Sequence, residues 1–378
     1  MVGAAVLCRA RPLLLPGSRH ATTAASLLSE YKRLPAWRDL AELETALQRV
    51  VLYSEPGQAG LVVLSKPHGL PRAPAKDCQY SLEQALGGLA RRLGRHQLEV
   101  VRCTERYTSG LTLLGGPGTS KRYQAAMARA RHQRLLVTSW LAVVRGQPAG
   151  ERLESVDLRM EDCPGVTAPL LGSRHKEPVL SRQLLTRAQA GRASGAVKRV
   201  HFQFSAVSRC PAGAGLVRLA ASNTGNHMLS VYLADLGCPA LGDQLYDYRS
   251  RTMLGQPVRL TTAHTAATRH QLLPRPLLEK LGLEPGEEWQ LPKFLHQHRL
   301  VLPGWLEGGA DLTVTAPPPP HWHSTCSQLG LKLDPATLVA EDTPVRWEER
   351  PENARRREAR AVRARENQQS GVVEASTI

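Results

Sequence analysis

From Asp39 to Val51 the apolar residues Leu40, Leu43, Leu47, Val50 and Val51 recur at intervals of three and four, which predicts an amphipathic helix. Ala59–Ser65 (AGLVVLS) is instead a continuous apolar run, the pattern of a buried strand, and Lys66-Pro67-His68-Gly69 behind it predicts a turn. Leu111–Leu114 gives another short strand, stopped by Gly115-Gly116-Pro117-Gly118. Lys121–Arg134 is an alanine-rich basic helix, and Leu135–Val144 an apolar strand closed by Gly146. At Val200–Val207 the pattern becomes strict alternation, with Val200, Phe202, Phe204 and Ala206 on one face and His201, Gln203 and Ser205 on the other. Leu216–Ala221 reads as its hairpin partner, Met228–Leu236 as a helix stopped by Gly237, and Arg299–Leu302 and Leu312–Thr315 as closing strands. This order lacks the strand–helix rhythm of a doubly wound sheet. It predicts an α+β fold: a mixed, mainly antiparallel sheet with flanking helices. The Gly- and Pro-broken region 145–195 reads as an insertion or subdomain connection.

Composition narrows the picture. At 378 residues, 42% hydrophobic and 22% charged, the chain has enough apolar surface for one large domain or two modest ones. Its 7 cysteines stand singly, so neither a disulfide framework nor a zinc clip is expected. No run approaches the roughly 18 apolar residues of a membrane span. Before Glu30, the first acidic residue, Arg9, Arg11, Arg19 and His20 are scattered among Ala, Leu, Ser and Thr. That composition predicts a mitochondrial transit peptide over 1–29 and a matrix destination. At the other end, the Arg/Glu run Arg346–Glu366 predicts a charged tail, helical or disordered, over 326–378.

The net charge is +16; removing the +3 of residues 1–29 and the +2 of 345–378 leaves +11 on the body. Between Glu105 and Glu151 no residue is acidic, while Arg106, Lys121, Arg122, Arg129, Arg131, Arg134 and Arg145 are basic. Such a stretch can follow a phosphate backbone, which makes a polyanion the first partner to consider and a basic protein-binding scaffold a weaker alternative.

Glu105 is a lone carboxylate at the head of that acid-free stretch, within Val101-Arg-Cys-Thr-Glu-Arg-Tyr-Thr-Ser-Gly-Leu-Thr-Leu-Leu114. The segment resembles the signature of the RluA-type RNA pseudouridine synthases, H-R-L-D-R-x-T-S-G-L. Arg106, Thr108, Ser109, Gly110 and Leu111 match in register, and the family's nucleophilic aspartate falls on Glu105. Three further elements keep the order: Lys66-Pro67-His-Gly69 with Pro71 resembles the family's D-K-P-x-G-x-P turn. Gly237-Cys-Pro239 through Gly242-Asp243 to Tyr246 resembles its G-x-P-I-x-G-D-x-x-Y element. Leu295-His296 with Ala316-Pro317 resembles its closing segments. The likeness covers about residues 55–325, after an amphipathic leader at 30–54.

The resemblance implies a pseudouridine synthase fold around a central basic cleft, no metal or other cofactor, and isomerisation of uridine in mitochondrial RNA, mRNA first and rRNA second. Other mitochondrial RNA-processing proteins are the further expected partners. Glu105 takes the catalytic position. Trp140, at the place of the motif tyrosine, is expected to stack the base. Thr108, Ser109, Gly110, His227 and Ser230 are expected to shape the pocket, and Lys66, Arg102, Arg106, Lys121, Arg122, Arg129, Arg131 and Arg134 to touch RNA. Three departures matter. The acid is one methylene longer, the tyrosine hydroxyl is gone, and the family's two arginines fall on Gly225 and Ser230. Arg102 or Arg106 is the expected replacement for the cation that pairs with the acid. A catalytically silent RNA-binding factor on the same fold, assisting ribosome assembly, is the alternative.

Overall fold

The computed structural model describes Val6–Cys8, residues 37–75, 78–162, 176–186, 189, 197–225, 227–254, 256–259, 271–333 and 344–347. The body is organised by one large mixed sheet. Its strands β2 (Val51–Ser54), β3 (Leu61–Lys66), β5 (Ser109–Gly115), β14 (Leu295–Leu302), β7 (Thr138–Arg145), β11 (Ala214–Ala221), β10 (Lys198–Cys210), β8 (Glu151–Asp162) and β9 (Lys176–Ser181) lie side by side in that order. Off this path β4 (Glu99–Arg102) joins β5, β15 (Leu312–Thr315) joins β14, and β1 (Val6–Cys8) runs parallel to β15; β6 (Leu135–Leu136) and the hairpin of β12 (Ser250–Met253) with β13 (Gln256–Arg259) stand outside this sheet. All pairs along the path are antiparallel except β5 with β14, so the mainly antiparallel expectation holds.

That exception splits the sheet. β5 and β14 share only two residue pairs, His296 with Ser109 and Gln297 with Gly110. Beyond them β5 turns to β4 and β14 turns to β15. The junction needs a glycine: Gly110 has φ +109°, and a Cβ there would lie 2.3 Å from the Gln297 carbonyl oxygen. Ser109 closes it with a side-chain bond. His296 Nε2 lies 3.1 Å from the Ala316 carbonyl, which can only accept, so neutral His296 presents Nδ1 as an acceptor and the Ser109 hydroxyl donates to it at 2.9 Å.

Alternation along the strands sends each half of the sheet into two layers. On the first half, Val62, Leu64 and Leu114 pack under α1 (Leu40–Arg49) and α2 (Leu82–Arg92). Leu61, Val63, Leu111 and Leu113 face the other way, toward Ala126 of α3 (Thr119–His132) and Trp305. On the second half, Trp140, Ala142, Val144, Phe202 and Phe204 pack under α4 (Met228–Asp235), where Phe202 stacks on Tyr232 with centroids 3.9 Å apart. Leu141 and Val143 face α5 (Arg275–Leu281) and α6 (Pro320–Leu329).

The boundaries expected at 55 and 325 cut through packed structure. Leu43 and Leu47 of the supposed leader are core residues, and so are Trp322, Cys326 and Leu329, which belong to one helix across the expected start of the tail. Region 145–195 is likewise no simple insertion: β8 and β9 complete the sheet's far edge beyond β10. Apart from Val6–Cys8, 326–333 and 344–347, the expected transit peptide and charged tail lie outside the described residues.

Candidate active site

Beside the junction lies a cavity of about 150 Å³. Arg102 lines it from the end of β4, Cys103, Thr104, Glu105 and Thr108 from the loop between β4 and β5, Trp140 from β7, Thr224, Gly225 and His227 from the approach to α4, Leu229 and Ser230 from its first turn, and Leu295 and Gln297 from β14. Both halves of the sheet therefore contribute walls. The volume matches that at which an engineered cavity admits a benzene ring, so one six-membered ring fits.

Glu105 lines this cavity with about a third of its side chain exposed (32%). Its Oε1 accepts the backbone N–H of His227 at 3.0 Å, and its Oε2 lies 2.9 Å from His227 Nδ1. His227 holds the left-handed conformation, φ 54° and ψ 23°, at the N-cap of α4 and offers the helix no side-chain cap. The carboxylate of Glu105 therefore sits at the positive end of that helix. Burial alone would push its carboxyl up. The His227 side chain, the field of Lys293 and the His227 N–H outweigh that, and the group is held below the usual carboxylate range. Glu105 is ionised at neutral pH.

The loop carrying Glu105 is braced from below. Lys66 is fully buried, and its Nζ donates to the carbonyls of Pro67 (3.0 Å), Leu70 (3.1 Å) and Arg106 (3.2 Å). Desolvation lowers its pKa to about 8, against the raising influence of Cys103 and Glu105. Gly69 N–H bonds the same Arg106 carbonyl at 2.9 Å, and Arg106 Nε returns a bond to the Gly69 carbonyl at 3.3 Å. Thr108 N–H closes a turn onto the Glu105 carbonyl at 3.0 Å, while Thr104 Oγ1 bonds the Thr108 carbonyl at 3.2 Å.

Several expectations change at this point. Lys66 is no RNA contact, because its ammonium is consumed by the carbonyls it clamps. Ser109 and Gly110 hold the sheet junction rather than shape the pocket. Among the basic residues, Arg102 alone lines the cavity, donating to Thr224 Oγ1 at 2.6 Å. Arg106 lies over the Tyr107 ring at 4.9 Å, outside the lining. Arg122 is engaged at both Glu55 carboxylate oxygens (3.0 Å each) and stacks 4.2 Å over Trp305, and Arg129 donates to the Pro303 and Gly304 carbonyls. Lys121 and Arg131 face solvent on α3, and Arg134 follows that helix; none of the three lines the cavity. Trp140 does line it, yet is only 4% exposed, so the indole gives the cavity little of its ring face.

The sequence points to Arg102 or Arg106 as the groups that act on Glu105; the structure gives that part to the hydrogen bonds of His227 and the field of Lys293, the second of which sequence reasoning missed. Lys293 is 6% exposed and stands just ahead of β14, with its Nζ 3.5 Å from Asp243 Oδ2. Asp243 Oδ1 in turn caps the backbone N–H groups of Leu245 and Tyr246, as a turn aspartate does. Cys103 behaves as a packed filler: burial pushes its thiol up, away from reactivity.

No family model matches the chain. The mitochondrial mRNA pseudouridine synthase RPUSD3 of Homo sapiens is 33% identical over 307 residues, covering 79% of this chain and 81% of the relative. The chain belongs to the pseudouridine synthase family. Within this family the mitochondrial pseudouridylate synthase RPUSD4 of Danio rerio is 26% identical over 305 residues, 76% of this chain and 75% of its own. The solved structure of human RNA Pseudouridylate Synthase Domain Containing 4 superposes with a TM-score of 0.55 over 77% of this chain and 97% of that one. At 21% identity, that likeness shows the shared pseudouridine synthase fold.

Proposed function

We propose that this chain isomerises uridine to pseudouridine in mitochondrial RNA, mRNA first, with Glu105 as the acting carboxylate. The relatives named as mitochondrial mRNA pseudouridine synthases support the substrate class and the compartment. The composition of residues 1–29 supports import into the matrix. The observation that carries the reading is an ionised carboxylate projecting into a cavity of one ring's size.

The chemistry replaces the N1–C1′ bond by a C5–C1′ bond. The target base leaves its stack and enters the cavity. Glu105 attacks C1′, or removes a proton from the ribose, as the N1–C1′ electron pair departs with the uracil. The uracil turns and C5 bonds to C1′ as the Glu105–C1′ bond breaks and releases the carboxylate, or, on the second route, as Glu105 returns the proton to the ribose; the C5 proton is then lost and N1 takes up a proton. Atoms and electrons balance without an oxidant or reductant. His227 and Lys293 keep the acid charged and aimed.

One observation favours a second reading. Both Glu105 oxygens touch His227, so the carboxylate could serve only as the cap of α4 in a silent RNA-binding factor. Transcripts of mitochondrial mRNA bearing tritium at uridine C5 separate the two, because isomerisation alone expels that label. The wild type releases tritium. Glu105→Gln, which keeps an acceptor for the His227 N–H, slows release by about a thousandfold or more, with RNA affinity unchanged. Tight binding without release in the wild type establishes the silent factor; equal release by both proteins removes Glu105 from the chemistry.

A further inference from the structure

Three residues that line the cavity carry a buried polar atom with no hydrogen-bond partner among the described residues, Thr108 Oγ1, Ser230 Oγ and Trp140 Nε1, and a fourth such atom, His227 Nδ1, lies against Glu105 Oε2 at 2.9 Å. Thr108, Ser230 and Trp140 are 1%, 1% and 4% exposed. A buried donor or acceptor left unmade costs on the order of 1–3 kcal/mol, so three on one wall are not kept for stability. They come from three elements: the loop after Glu105, the first turn of α4, and β7. The nearby polar groups Thr104 Oγ1 and Arg102 Nη2 are by contrast satisfied within the protein, by the Thr108 carbonyl and Thr224 Oγ1.

We propose that Thr108, Ser230 and Trp140 read the edge of the inserted uracil. This rests on the reading of the cavity as a base pocket and assigns it a specificity. The uracil edge runs acceptor, donor, acceptor across O2, N3–H and O4, three groups that these three side chains can pair. A hydroxyl can accept from N3–H or donate to a carbonyl, while the indole N–H can only donate, so it seeks a carbonyl. Cytosine presents an amino group where uracil has O4 and an acceptor where uracil has N3–H. A wall that pairs with uracil is left with unmatched groups against cytosine, and such mismatches discriminate more strongly than apolar contacts. Methylation of N3 removes the central donor and blocks the approach of the wall.

Equilibrium binding of the full chain to oligouridylate, to oligocytidylate of equal length, and to oligouridylate methylated at N3 tests this. Single strands place a base in the cavity at little unstacking cost. The wild type is expected to prefer oligouridylate over either control on the order of tenfold, as one or two net hydrogen bonds give. The double variant Thr108→Val, Ser230→Ala keeps the shape of the wall and is expected to lose most of that preference. It should bind oligocytidylate as the wild type does and melt no earlier, since apolar groups replace unpaired polar ones. Trp140→Phe is expected to lower the preference over oligocytidylate most.

The inference is overturned by a wild type without preference or by a double variant that retains it. Earlier melting of the double variant also overturns it, because the hydroxyls are then bonded inside the protein. Tritium release reports on the isomerase reading separately. Preference without release leaves the edge reading standing, and release without preference removes only the edge reading.

Discussion

The acid that the chain places in its cavity differs from the family's by one methylene, and the surroundings change with it. Where an arginine is expected, Ser230 presents an uncharged hydroxyl; the buried Lys293 held by Asp243 supplies the cation, and His227 Nδ1 stands 2.9 Å from the acid. Cations beside a carboxylate favour its charged form, so removing one raises its pKa. Lys293→Gln is therefore expected to move the acid limb of the activity–pH profile to higher pH and to cut turnover at neutral pH on the order of tenfold. Measuring kcat/KM from acid to neutral pH in both proteins checks the sign; an unmoved limb means that Lys293 serves only Asp243. The carboxylate was legible in the sequence because it stands next to Arg106, Thr108 and Ser109 in one short segment. The cation was not, because the fold brings Lys293 to Glu105 through the sheet, and no local spacing encodes that meeting.

At the level of elements, the junction of β5 with β14 decides whether the two walls of the cavity stay in register, and it rests on very little. Two residue pairs, one Ser109–His296 bond and the bare Cα of Gly110 hold it. Gly110→Ala would place a methyl 2.3 Å from the Gln297 carbonyl in a conformation that alanine resists. We expect a loss of about 3 kcal/mol, read as a lower urea midpoint, together with a fall in turnover, because Thr108 and Gln297 flank the junction and line the cavity. The variant melting like the wild type would show that the junction yields freely. Sequence patterns recovered the strands around this junction because continuous apolar runs and alternation are local signals. They missed α2, whose capping box of Ser81 and Gln84 is present but whose apolar period is interrupted by Gly87 and Gly88. β8 escaped because its many charged residues mask the buried pair Val156 and Leu158. The helix that runs across residue 325 was hidden for a different reason. Pro317–Pro320 looks like a breaker, yet Pro320 occupies the first position of α6, where a missing N–H costs nothing.

Over the whole molecule, the net charge of +16 gives RNA binding a salt dependence, but the positive side chains divide between solvent and internal duty, as Lys66, Arg122 and Arg129 show. The histidines set a second global property. His296 and His321 are 0% and 2% exposed, and burial, reinforced by neighbouring histidines, lowers their pKa values to about 3 and about 4. In the folded protein both stay neutral down to that range, whereas in the unfolded chain each takes a proton near the ordinary value of 6.5. Between those limits the unfolded state binds more protons, so stability falls as pH falls from about 6.5 toward 4. At about pH 5 each ring contributes a loss of about 2 kcal/mol relative to neutral pH, following 1.36 kcal/mol per pH unit. The urea midpoint of the full chain is therefore expected to drop steeply between about pH 7 and pH 5. His321→Phe isolates the effect. Both His321 nitrogens lack a hydrogen-bond partner among the described residues and the ring packs edge-on against Phe294 at 5.6 Å, so a phenyl fits the same slot without titrating. That variant should match or exceed the wild type at neutral pH and lose less on acidification; an unchanged pH slope would place the acid sensitivity elsewhere.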